Sequence, residues 1–163
     1  MPPQEKIVPL IYDTYITMLK NSARTRMFRH SYAQVNGKRT DILENGSLSC
    51  AFFVSTVLAM FRLIDRMHST VDGAVKDLEE SGWKKIRRPM VGSVLVWESK
   101  TDEDGPHRHM GFYIGKDQAV SNSTQRGYPV IHHWTYGKKR GLPRRKVESI
   151  YWYTEDFDKI SKK

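Results

Sequence analysis

Apolar residues recur along the chain with three rhythms, and each predicts a different element. Over residues 7–20 they fall at Leu10, Ile11, Tyr15 and Met18 or Leu19, the spacing of an amphipathic helix with one face turned inward. From 21 to 48 the rhythm is lost. That stretch holds Asn36-Gly37 and Asn45-Gly46, both turn signals, and reads as a long irregular loop of the sort that tends to carry function in a compact domain. From Cys50 the sequence CAFFVSTVLAMF is apolar on nearly every side until Arg62, as expected of a central helix buried all round. Gly46, Ser47 and Ser49 precede it in the place of an N-cap, which puts Cys50 at or next to the helix N-terminus. A further helix is predicted over 72–81, with Ser69 or Thr70 at its start and Gly82 as its stop.

Beyond Trp83 the period shortens to two. Residues 92–98 (GSVLVWE) read as one strand and 109–115 (HMGFYIG) as the next, joined by an acidic loop over 99–108. In the second strand Met110, Phe112 and Ile114 share one face, while His109, Gly111 and Tyr113 share the other. Residues 118–122, 130–134 and 148–153 complete an expected five-stranded, mostly antiparallel sheet. Trp97, Trp134 and Trp152 lie within strand patterns and are expected to be core. Helices first and strands later is the α+β order, and 163 residues make one domain, with 1–29 forming the N-terminal helix and lead-in.

Composition changes this picture in three ways. A single cysteine removes any intrachain disulfide, so the core alone must stabilise the fold. No run reaches the eighteen or so apolar residues of a membrane span, and the first residues lack the pattern of a signal peptide. A cytoplasmic location and export by a non-standard route to the envelope or outside both stay open. The net charge of +9 is concentrated: 138–146 (KKRGLPRRK) holds six basic residues and no acid, and 84–88 (KKIRR) four more. Each cluster taken alone reads as a solvated loop, while the total charge favours an anionic environment, with Lys138–Lys146 the candidate contact for an anionic polymer.

A thiol at a helix N-terminus faces the positive end of the dipole and unpaired N–H groups, which favour thiolate and can hold an oxyanion. A histidine opening a strand packed on that helix can take the thiol proton and return it to a leaving amine. Cys50 and His109 fit these roles. His107 and His109 are two apart on an extended segment and, with Asp104, have the spacing to share a metal. No helical His-Glu-x-x-His pattern supports that, so His107 is expected in the exposed loop and no metal or cofactor is expected. His132 and His133 straddle a strand, one in and one out, as surface residues or substrate contacts. His30 and His68 read as surface histidines.

The order SCAFFVS at 49–55, GSVLVW at 92–97 and HMGFYIG at 109–115 resembles the NlpC/P60 and CHAP branch of the papain-like cysteine hydrolases. Ser49, Ala51 and Phe52 depart from the Asp before and Ser-Gly after the cysteine that are usual in NlpC/P60 members. The resemblance implies a papain-like α+β fold in which Cys50 attacks an amide or peptide bond through a thioester and His109 shuttles the proton. A third polar residue on the following strand would orient the imidazole. That place falls on Ser121 or Asn122, whose side chains point to opposite faces, and Asn122 is expected to take it for its longer reach and firmer geometry. The resemblance also suggests Tyr32 and Ser49 as substrate contacts and bacterial peptidoglycan as substrate. Two rival readings remain: a non-catalytic basic module binding anionic polymer or nucleic acid, and an inactive member of the same fold.

Overall fold

The computed structural model describes residues 5–102 and 105–162. Helix α1 (Ile11–Asn21) buries Tyr15, Ile16 and Leu19, one apolar stripe at helical spacing. Leu10, expected on that stripe, lies outside the helix and is exposed. The hydroxyls of Tyr12 and Tyr15 donate to the carbonyls of Val91 and Gly92, so α1 clamps the turn that leads into the sheet.

The stretch expected as an irregular loop contains a hairpin, β1 (Tyr32–Val35) and β2 (Lys38–Asp41). Its turn is Asn36-Gly37, both at positive φ, as the tight two-residue hairpin turn requires. The alternating burial that announces a strand is missing, because neither strand buries a residue in the core. The Asp41 carboxylate organises the adjoining segments. It accepts from the backbone N–H groups of Ser31, Leu43 and Asn45 and from the His30 ring. His30 is therefore a loop anchor.

Helix α2 (Cys50–Met60) buries Ala51, Phe53, Val54, Ser55, Val57 and Leu58. Each large apolar side chain so buried contributes about 1.5–3 kcal/mol, which makes this helix the centre of the core. It ends where the apolar run is interrupted, just before Arg62. Arg62 takes a positive φ of 55°, and Leu63 and Ile64 fill the core from the connecting segment instead. Helix α3 (Val71–Glu80) starts where expected, with Thr70 Oγ1 accepting from Gly73 N–H as N-cap.

The connection between α2 and α3 is held by polar contacts. Asp77 accepts from the N–H groups of Asp65 and Arg66, from Ser81 Oγ, and lies 2.7 Å from His68 Nε2. Ser55 Oγ bonds both the N–H and the carbonyl of His68. His68, expected at the surface, is a bracket for this segment.

The remaining strands are β3 (Trp83–Lys85), β4 (Val94–Asp102), β5 (Gly105–Gly115), β6 (Gln118–Ser123), β7 (Tyr128–His133), the short pair β8 (Lys138–Lys139) and β9 (Leu142–Pro143), and β10 (Val147–Tyr153). A short 3-10 helix, Phe157–Lys162, ends the described chain. Six strands form one sheet in the order β3-β10-β4-β5-β6-β7, every neighbouring pair antiparallel. This contains the five expected strands and adds β3 at one edge. The acidic loop expected over 99–108 is largely strand, because β4 and β5 run on past an irregularity between Trp97 and Lys100. The α+β class is shown. Val94, Val96, Met110, Phe112 and Val120 pack with α1, α2 and α3, and Leu95, Trp97, Ala119 and Ile150 form a smaller cluster beneath Trp134 and Tyr136.

Candidate functional site

Cys50 is the first residue of α2, and Ser49 is its N-cap by position. The Ser49 hydroxyl does not cap the helix, nor is it open to a substrate. It is fully buried and donates to the carbonyl of Phe28, tying the lead-in segment beneath the helix start. The first N–H groups of α2 are thus left to other partners, and those of Ala51 and Cys50 face the thiol. Pairing between β5 and β6 begins at Gly111 opposite Ser121. Met110, the residue before that first pair, turns its N–H toward the sulfur as well.

Cys50 and His109 line one cavity of about 400 Å³, whose other walls include Ser47, Leu48, Ser69, Thr70, His107, Arg108 and Thr124. The Ser69–Val71 side of this wall adjoins the segment bracketed by Asp77. His109 also lines a second cavity of about 300 Å³ with Ser121, His132, Tyr136 and Arg145, so its ring stands between the two. His107 lies on β5 and faces the first cavity, contrary to its expected place in a loop. Asp104 lies outside the described residues. Among the described residues, no group of three or more His, Cys, Asp or Glu is placed to hold a metal.

At Nε2 of the imidazole the structure places Ser121, not Asn122. Ser121 Oγ is 3.0 Å from His109 Nε2. The two side chains of β6 do point to opposite faces, and Asn122 is on the wrong one. Its Nδ2 donates to the carbonyl of Gly46, and its buried Oδ1 has no partner among the described residues. Longer reach does not help a side chain directed away from the ring. The glycine of the HMGFYIG segment has a physical reason in the same place. A Cβ on Gly111 would lie 2.6 Å from Ser121 Cβ and 3.1 Å from the Trp97 ring, so only glycine lets Ser121 and the indole close around His109.

Three residues that the sequence did not assign to the site complete it. Trp97 is fully buried, and its ring packs against His109, His132 and Tyr136 at centroid distances of 5.5–5.7 Å. Tyr136 stacks on His132 at 4.1 Å. Arg145, read as part of a solvated basic run, is half-buried. Its guanidinium donates to the carbonyls of Glu98 and His107 and lies over the Tyr136 ring. Those carbonyls flank the β4–β5 irregularity, a signal that exists only once the strands are paired. Tyr32 is not among the residues lining either cavity. It stands half-exposed on β1, stacked on His30 and covered by the Arg39 guanidinium at 3.6 Å.

Burial governs the protonation of the pair. It pushes the Cys50 thiol above its ordinary value, against the pull of the Met110 and Ala51 N–H groups and the Arg145 cation. It pushes His109 down to about 3, helped by Arg145 and His132. The resting site is therefore a neutral thiol beside a neutral imidazole, rather than the preformed thiolate that the helix N-terminus alone favours. Iodoacetamide alkylation of Cys50 is expected to reach half its maximal rate at higher pH in native protein than in urea-unfolded protein. A lower midpoint in the native state would establish a resting ion pair instead.

No family model and no curated protein matches this chain.

Proposed function

We propose that the protein is a cysteine hydrolase of amide or peptide bonds, with a papain-like fold similar to NlpC/P60 and CHAP domains and peptidoglycan as its substrate class. One observation carries the reading. The thiol at the start of a buried helix and the His109 ring line one cavity, and Nε2 of that ring is engaged by Ser121.

In this reading Nδ1 of His109 takes the thiol proton as the Cys50 sulfur bonds to the carbonyl carbon and the carbonyl electron pair moves onto oxygen. N–H groups at the start of α2 meet that oxygen. The tetrahedral adduct collapses, the C–N bond breaks, and the amine leaves with the proton from His109. Water then gives a proton to His109 and attacks the thioester, restoring the thiol and releasing a carboxylic acid. Because sulfur and imidazole both rest neutral, proton transfer accompanies attack. Ser121 orients the ring without exchanging its own proton with substrate. No metal or organic cofactor enters any step.

The test is incubation with purified peptidoglycan and its soluble muropeptides, followed by mass spectrometry of the products and of the protein. Release of a new amine and an acyl adduct on Cys50 are expected. Intact substrate, with Cys50 unmodified throughout, would leave the basic binding module as the better reading.

A specific feature also favours contact with anionic polymer. Lys138, Lys139, Arg140 and Arg144 lie on and beside the β8–β9 hairpin, whose strands are exposed along their length. Retention on teichoic acid or heparin should be strong at low salt and weaken steeply as salt rises. Changing these four residues to serine should cut retention at least about fivefold, with turnover of a soluble muropeptide unchanged. Arg145 is left out because it belongs to the site. Equal loss of retention and turnover would place the hairpin in substrate recognition. Among the described residues, no helix is long and apolar enough to cross a membrane.

A further inference from the structure

Ser121 Oγ lies within hydrogen-bonding distance of three polar atoms: His109 Nε2 at 3.0 Å, His132 Nε2 at 2.7 Å and the Tyr136 hydroxyl at 3.1 Å. A hydroxyl has one proton to donate and two lone pairs to accept with, so the direction of each bond depends on the others. The chain has a fixed end. Nδ1 of His132 is 2.8 Å from the main-chain carbonyl oxygen of His133, and a carbonyl only accepts. His132 therefore carries its proton on Nδ1, and in the neutral ring Nε2 presents a lone pair. That lone pair takes the Ser121 proton. Ser121 must then accept from both Tyr136 and His109, which requires the His109 proton to be on Nε2.

We infer that His132, acting through Ser121, is a positioning residue that fixes His109 in the Nε2–H tautomer, the form whose free Nδ1 can take the Cys50 proton. The inference rests on the reading of His109 as the base. Packing supports the arrangement independently. Trp97 lies against both imidazoles and Tyr136 stacks on His132, so the rings are held in place. Gly111 gives Ser121 the room to stand between them.

The chain also makes the tautomer sensitive to acid. The ionisable groups around His132 are His109 from β5, Tyr136 and Arg145 from the segments after β7 and before β10, and His133 on its own strand. Once protonated, His132 donates from both nitrogens. Ser121 then accepts from it, and the serine proton is free to turn toward His109 Nε2, which releases the lock. Burial, with the neighbouring His133 and Arg145 charges, holds His132 below its ordinary value. Protonation of His132 thus contributes to the acid limb of the reaction.

Long-range proton–nitrogen NMR of the whole, ¹⁵N-labelled chain distinguishes the protonated from the lone-pair nitrogen of each ring, whatever the substrate. Native protein near pH 7.5 should show His109 as Nε2–H and His132 as Nδ1–H. His132→Phe keeps the stacking but removes the acceptor. It should give a mixture of His109 tautomers and lower kcat about 10- to 100-fold with KM little changed. His132→Gln retains an oxygen acceptor that does not titrate. It should keep the single tautomer, hold kcat within about threefold, and remove the part of the acid limb that His132 contributes. An Nδ1–H form of His109 in native protein, or a tautomer unmoved by His132→Phe, overturns the inference, and the native spectrum alone can do so if a variant fails to fold. The tautomers can stand as inferred even if no amide is hydrolysed, so the two failures are distinguishable.

Discussion

Cys50→Ser is expected to lower amide turnover by at least about 10⁴-fold while shifting the melting temperature by no more than a few degrees. The substitution changes one atom at the start of α2, where the side chain borders a cavity rather than filling a closed part of the core. Its chemical effect is large because of the resting state. With His109 pushed down to about 3, the base is weak and takes its proton only as the new bond forms. A thiol can meet that demand because sulfur is intrinsically nucleophilic and its proton comparatively acidic. An alcohol in the same desolvated place holds its proton far more tightly. Turnover of a soluble muropeptide, with circular-dichroism melting of both proteins, measures the effect. A serine variant within tenfold of the native rate would remove the sulfur from the mechanism and refute the assignment of Cys50.

Asp77→Asn is expected to destabilise the fold by about 2–4 kcal/mol, a fall of roughly 5–15 °C in melting temperature. Both carboxylate oxygens are occupied by donors: Asp65 N–H and Ser81 Oγ on one, Arg66 N–H and His68 Nε2 on the other. An asparagine amide has only one oxygen, so its NH₂ must confront donors in a buried place. Burial raises the Asp77 carboxyl, but these donors outweigh it and hold the group below its ordinary value. The carboxylate's contribution is therefore complete above the unfolded value of about 3.9 and is lost as pH falls toward the lower folded one. Native protein should lose stability on acidification below about pH 4 more steeply than the variant. Parallel acid-unfolding curves would show that Asp77 does not hold this connection. Ser69 and Thr70 beside it line the cavity shared by Cys50 and His109, so the variant should also bind substrate more weakly.

The main elements were legible because their signals are local. The apolar run after Ser49, the Thr70 cap and the two-residue alternation from 92 to 153 each arise from how side chains project from one helix or strand. The β1–β2 hairpin was hidden because exposed strands need no alternation, and only Asn36-Gly37 marked it. The end of α2 was marked by Arg62, which interrupts the apolar run. What stayed hidden is that Leu63 and Ile64 return to the core beyond it, because that depends on the backbone turn at Arg62.

The sequence by itself determined the α+β order, the placing of Cys50 at a helix start and of His109 on a strand, and the opposite facing of Ser121 and Asn122. Only the tertiary structure decided which of those two meets His109. That depends on the β5–β6 register, and a shift of one residue would exchange their faces. It alone drew Arg145 out of a basic run, because the carbonyls that hold it are presented only where β4 and β5 pair irregularly. It alone set the charge state of the pair as well. A helix N-terminus favours thiolate through a few nearby dipoles, but desolvation depends on every atom the fold packs around the sulfur, and here desolvation is the larger effect.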